Sequence, residues 1–109
     1  MAFTEPVPPQ RFGLPASALD SLADVFGQFP EIDKVVLYGS RAMDRYRSGS
    51  DIDLAVSAPD MGWATFLRLE QAIDDLLLPW KVDLALIHQI ENQELMDHIQ
   101  RVGVLLYKA

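Results

Sequence analysis

The stretch from Val35 to Val56, VVLYGSRAMDRYRSGSDIDLAV, constrains this chain more than any other, because it sets two strand-like runs on either side of a glycine turn. Val35-Val36-Leu37-Tyr38 is β-branched and aromatic and stops at Gly39-Ser40, the composition of a buried strand that ends in a turn. Arg41 to Arg45 can then continue as a short helix, with Ser40 near its N-cap. A strand that delivers the chain into a glycine and then a helix start leaves backbone N–H groups pointing at one spot, where they favour an anion. Gly39 lets a phosphate approach the main chain, and the Ser40 hydroxyl can donate to it.

After ten intervening residues comes Asp51-Ile52-Asp53-Leu54-Ala55-Val56, which alternates as a strand does. With period 2, Asp51, Asp53 and Ala55 share one face while Ile52, Leu54 and Val56 share the other. The apolar face has a core to join. The two carboxylates lie side by side on the opposite face, where they repel unless something cationic sits between them. Hard oxygen ligands of this kind suit Mg²⁺, which takes one or two carboxylates plus substrate phosphates. Read singly, Gly39-Ser40 is an ordinary turn and each acid a solvated surface group. Their combination within a strand, turn, helix and strand points to a site for a phosphate and a divalent cation.

GSRA at Gly39 to Ala42, followed by SDIDLAV at Ser50 to Val56, resembles the signature of the nucleotidyltransferase superfamily that includes DNA polymerase beta, in its minimal single-domain (MNT) form. The match is close over Val35 to Val56 and weaker as far as Ile87. The resemblance implies that Gly39 and Ser40 hold the phosphates of a nucleotide, that Asp51 and Asp53 hold metal ions, and that a third carboxylate stands on a later strand. In the matched block Arg41 gains a substrate role, since a guanidinium suits triphosphate oxygens, while Arg45 and Arg47 have less claim to one. Met43-Asp44 is a departure: relatives commonly continue the block with a basic residue and a glycine, and here an acid stands beside the phosphates.

Lys81 to Ile87, KVDLALI, repeats the acid-apolar alternation and supplies the candidate third acid, Asp83. If it pairs in register with the second strand, Asp83 projects beside Asp51 and Asp53. Three such carboxylates would hold two divalent ions about 4 Å apart, one to activate the attacking oxygen and one to neutralise the triphosphate. The family pattern implies that Asp83 also acts as the base, or orients the acceptor hydroxyl.

The remainder reads as scaffold. Pro6, Pro8, Pro9 and Pro15 make residues 1–15 an extended arm, with the nucleotidyltransferase domain over 16–109. Ser17 is a candidate N-cap for a helix of about Ala16 to Gln28 that buries Leu22 and Phe26. Trp63, Phe66, Leu69 and Ile73 recur at helical spacing until Pro79, and core packing is the expected use of both aromatics. Trp80 is left open between core and surface. Glu91 to Gln100 is a last helix ended by Gly103, followed by a short strand or packed tail at Val104 to Tyr107. His88 and His98, with no cysteine nearby, read as surface residues.

Composition sets outer limits. A chain of 109 residues, 50% apolar and 23% charged, is a single globular domain that buries roughly two-thirds of its unfolded surface. Its net charge of −7 is opposite to the footprint of a protein that tracks nucleic acid. Without cysteine there is neither disulfide nor thiolate metal site, and no apolar run reaches spanning length, so a soluble cytoplasmic protein is expected. The expected fold is α/β (α+β), a small mixed sheet of three to four strands with helices on one face and the acidic face open.

Too little chain follows Asp83 for an acceptor-gripping domain, so the acceptor should arrive on another chain, or a second copy should complete the site, giving a hetero- or homo-oligomer. The resemblance implies a partner: minimal nucleotidyltransferases of this type work beside a small all-helical HEPN-domain toxin, which they silence as antitoxin by transferring AMP from ATP to a tyrosine hydroxyl. Two rivals remain open at this point. One is transfer to an aminoglycoside-type small molecule, and the other is a non-catalytic antitoxin that neutralises its partner by binding.

Overall fold

The computed structural model describes residues 10–109. The proline-rich residues 1–9 of the expected arm lie outside the described residues. In place of the rest of that arm, Gln10–Arg11 (β1) and Leu14–Pro15 (β2) pair as a small antiparallel hairpin. Phe12 and Gly13 turn it with φ of 60° and 72°, and Leu14 is fully buried, so an apolar anchor draws this segment into the core.

Helix α1 (Ala16–Gly27) follows the hairpin without a break. Ser17 is not its N-cap: Pro15 occupies that position in extended geometry, and no side chain caps the helix. The ring of Pro15 already fixes a φ compatible with entering the helix, so the helix starts before a Ser17 cap can form. Leu22, Val25 and Phe26, spaced i, i+3, i+4, form the buried stripe.

The sheet follows from three runs of period 2 and one late strand. Strand β3 (Lys34–Tyr38) buries Val35 and Leu37, and β4 (Ile52–Ser57) buries Ile52, Leu54 and Val56, all five with no exposed surface. A single helical turn, α2 (Gly39–Ala42), leaves the end of β3 and leads into the loop before β4. Strand β5 (Val82–Leu86) and β6 (Val104–Lys108) complete a mixed sheet of order β5-β4-β3-β6. Strand β3 is antiparallel to both its neighbours, whereas β4 and β5 run parallel. A parallel pair needs a crossover connection, here supplied by helix α3 (Trp63–Asp74).

Helices α1 and α3 cover one face of the sheet, where Phe66, Leu69 and Ile73 meet the α1 stripe. The stacked aromatic pair of α3 divides: Phe66 is buried as expected, but Trp63 is 62% exposed. Trp63 is the first residue of α3, before the helix reaches the core, so its ring stacks on Phe66 from outside.

Helix α4 (Gln93–Val102) crosses the other face. The Asn92 side chain accepts a hydrogen bond from the Leu95 N–H at 3.0 Å and caps it. Ile99 is buried there, and Ala55, on the same strand face as Asp53, has no exposed surface. Helix α4 therefore covers one half of the face and leaves the half that carries the acids. Among the described residues no helix is long and apolar enough to cross a membrane.

Candidate functional site

The site forms where β3 gives way to its turn. Tyr38 ends β3 opposite Asp53 of β4, and Asp53 in turn lies level with Asp83 of β5. The parallel register Ile52↔Val82, Asp53↔Asp83, Leu54↔Leu84 puts the two carboxylates on one face, side by side. The alternation that buries Leu54 is what turns Asp53 outward. Asp51 stands one residue before β4 rather than within it and is exposed.

Gly39 begins helix α2 with φ +76°, a left-handed conformation that L side chains rarely adopt. A Cβ at Gly39 would run into Oδ2 of Asp53, with the carboxyl carbon 3.3 Å away. Only glycine lets the turn lie directly on this carboxylate. The helix begins at Gly39 and stops at Ala42, earlier than the expected Arg41 to Arg45, because Asp44 at φ 58° turns the chain out of it.

Electrostatics mark Asp53 as the strained member. Burial raises its pKa first, and the charges of Asp83 and then Asp51 raise it further, against a smaller opposing effect of Lys81. Tyr38 is raised by burial and by the same two acids, Asp53 and Asp83. Lys81 Nζ lies 3.5 Å from Asp83 Oδ1, but with 71% and 44% of these side chains exposed the bridge is weak.

Among the described residues no three His, Cys, Asp or Glu side chains close into a metal cage. The expected convergence of three acids is thus two in register plus one at the rim. The donor set still suits Mg²⁺: hard carboxylate oxygens whose mutual repulsion a dication removes, with coordination positions left for water and phosphates. Asp53 and Asp83 would hold such an ion, with Asp51 beside them.

Arg41 departs from the expectation that it meets triphosphate oxygens. Its side chain is 1% exposed and turned inward. Nε and Nη2 donate to the Ser50 carbonyl at 3.1 and 2.8 Å, Nη1 to the Phe12 carbonyl at 2.8 Å, and Nη2 also to the Ser48 carbonyl at 3.4 Å. Its guanidinium carbon stands 5.2 Å from the Tyr46 ring centre and 5.7 Å from that of Trp80. Trp80 Nε1 donates to the Ser48 carbonyl at 2.9 Å, which gives that residue a definite use. Together these bonds fix the loop from Met43 to Ser50 and so the place where Asp51 emerges. A buried cation is tolerated because every nitrogen finds an acceptor.

His98, a surface residue by its sequence alone, belongs to the site. It is half-buried, and its Nε2 accepts the Gly39 N–H at 3.2 Å, so this amide is already engaged rather than free for an anion. The ring meets Tyr38 edge-on at 6.1 Å. One signal does place it: His98 is three residues after Leu95 and one before Ile99, within the apolar stripe of α4. Ser40 is half-buried beside Gly39, and its carbonyl accepts the Arg45 N–H at 2.9 Å. His88 is exposed, in line with expectation.

The site thus joins a pair of acids on adjacent strands to a glycine turn. Residues 20–109 match the family described as polymerase beta, nucleotidyltransferase, and the chain belongs to that family. No curated protein matches the chain. Among solved structures it is similar to a toxin–antitoxin with AMP-PNP, at 22% identity and a TM-score of 0.68, over 84% of this chain and 73% of the other. A tri-AMPylated Shewanella oneidensis HEPN toxin in complex with MNT antitoxin aligns at 21% identity and 0.63, over 86% and 72% of the two chains. The toxin–antitoxin MntA-HepT aligns at 21% and 0.63, over 86% and 73%. At these identities the likeness establishes the shared fold.

Proposed function

We propose that this chain is a Mg²⁺-dependent adenylyltransferase that moves AMP from ATP to a hydroxyl, a tyrosine, of a HEPN-domain toxin, and so acts as its antitoxin. The observation that carries the reading is the level pairing of Asp53 with Asp83, with Gly39 pressed onto the Asp53 carboxylate. Family membership supports nucleotidyl transfer, and the similar solved structures, one holding AMP-PNP and one an AMPylated HEPN toxin, support the nucleotide and the partner.

In this reading Gly39 and Ser40 seat the triphosphate, with the absent Cβ of Gly39 letting the turn lie against the Asp53 carboxylate. When bound by Asp53 and Asp83, with Asp51 assisting, Mg²⁺ supplies charge neutralisation of the triphosphate and a more acidic acceptor hydroxyl. Asp83 at the sheet edge is accessible to an incoming side chain and accepts its hydroxyl proton or orients it. The acceptor oxygen bonds to the α-phosphorus, the bond from that phosphorus to the bridging oxygen breaks, and pyrophosphate leaves. Arg41 keeps the loop before Asp51 in place. The supply of ATP fits a cytoplasmic location.

Intact-mass measurement tests this. The purified chain, incubated with ATP, Mg²⁺ and a HEPN-domain partner, should add AMP to the partner, and Asp53→Asn should add none. An unmodified partner overturns the proposal, and if Asp53→Asn still neutralises the partner, binding alone is the function.

A further inference from the structure

Gly39 has a backbone amide that the fold must satisfy. The last β3–β4 pair is Tyr38↔Asp53 and the last β3–β6 pair is Leu37↔Val104, so the sheet offers Gly39 no ladder partner. With φ at +76° the turn points this N–H at helix α4, where His98 Nε2 accepts it. An accepting Nε2 carries no proton, so the neutral ring holds its hydrogen on Nδ1. On its other side Gly39 meets the Asp53 carboxylate. The residue that must let a phosphate approach is thus held between an imidazole and an acid, 59 positions apart in sequence in the first case.

We propose that His98 is a positioning residue of the nucleotide site: its Nε2 fixes the Gly39 amide and thereby the orientation of the Gly39-Ser40 turn toward the triphosphate. The inference rests on the reading that this turn seats a nucleotide. The hydrogen bond is directional where packing is not, and among the contacts between α4 and the turn it is the one that sets the peptide plane. The edge-on contact with Tyr38 holds the ring so that Nε2 faces Gly39. The Gly39 N–H is thereby withdrawn from phosphate binding and used to set the turn. Helix α4 becomes part of the site, although it carries none of the three acids.

Two substitutions separate hydrogen bonding from packing. His98→Phe keeps a ring against Tyr38 but offers no acceptor, whereas the side-chain oxygen of His98→Gln can accept the Gly39 N–H. Titration calorimetry of the full chain with Mg²⁺ and AMP-PNP should show the Phe variant binding about tenfold more weakly, the scale of one hydrogen bond. The Gln variant should recover most of the loss. Amide exchange at Gly39 should accelerate in the Phe variant alone, and with a modifiable partner the loss should fall on KM for ATP more than on kcat. If Phe at 98 prevents folding, His98→Asn, too short to reach Gly39, should show the same weakening. Wild-type affinity in the Phe variant overturns the inference, as does equal weakening by Phe and Gln. If the wild-type chain takes up no nucleotide, the functional reading falls and this inference with it.

Discussion

The two faces of strand β4 answer to different demands. On one, Ile52, Leu54 and Val56 are fully buried beneath α1 and α3, within the apolar core. On the other, Asp53 faces Asp83 and Asp51 across a half-open surface, and its pKa is raised by burial and by both acids. The first face gains stability from each atom it hides, while the second loses some by crowding like charges. A strand with one satisfied face can carry an unsatisfied one, and it is on this second face that the proposed cation would sit.

Removing the charge should invert the balance most sharply. Asp53→Asn should lower AMP transfer about a thousandfold, by analogy with the loss of other transition-state charge stabilisers, measured by partner mass over time. It should nonetheless raise the denaturant midpoint of the metal-free chain at neutral pH. The sign follows from the raised pKa: below the usual carboxylate range Asp53 is protonated both folded and unfolded and has no effect. As pH rises the unfolded chain ionises first, so folded stability falls until the folded group ionises as well. The Asn variant should lack that decline, and an equally steep decline in it would contradict the assignment.

On the apolar face the opposite result is expected. Leu54→Ala, one residue away, should cost about 3 kcal/mol in chemical denaturation, the range of a buried leucine deletion. Arg41→Ala should cost somewhat less, about 2 kcal/mol, because it leaves the carbonyls of Phe12 and Ser50 without this donor. Gly39→Ala should cost about 1–2 kcal/mol for the left-handed backbone. Its larger symptom should be weaker nucleotide uptake, since the new Cβ pushes against Asp53. Arg45→Ala, at an exposed position, should shift stability by less than about 0.5 kcal/mol, which isolates burial as the cause of the Arg41 effect.

The same contrast explains how much of the molecule is legible in its residues. The apolar face is legible because period 2 is local: Ile52, Leu54 and Val56 name their own face, and Asp53 and Asp83 follow by alternation. The parallel register that levels Asp53 with Asp83 is one that this alternation allows. What escapes such a reading depends on partners distant in sequence. Arg41 sits in the matched GSRA block, yet the carbonyls that claim it lie at Phe12, Ser48 and Ser50, and nothing near Arg41 announces them. His98 reads as a surface residue because its role depends on α4 packing beside the Gly39 turn, 59 residues away in sequence. Trp63 shares the spacing of Phe66 but not its burial, because periodicity gives a stripe without saying where along the helix the core begins.

Magnesium-dependent nucleotide uptake tests the central claim most directly. Thermal unfolding of the wild-type chain should shift upward with Mg²⁺ and AMP-PNP together, more than with either alone, and the shift should vanish in Asp53→Asn and Asp83→Asn. An equal shift in those variants, or none in the wild type, would contradict the claim that these paired acids hold a metal-bound nucleotide.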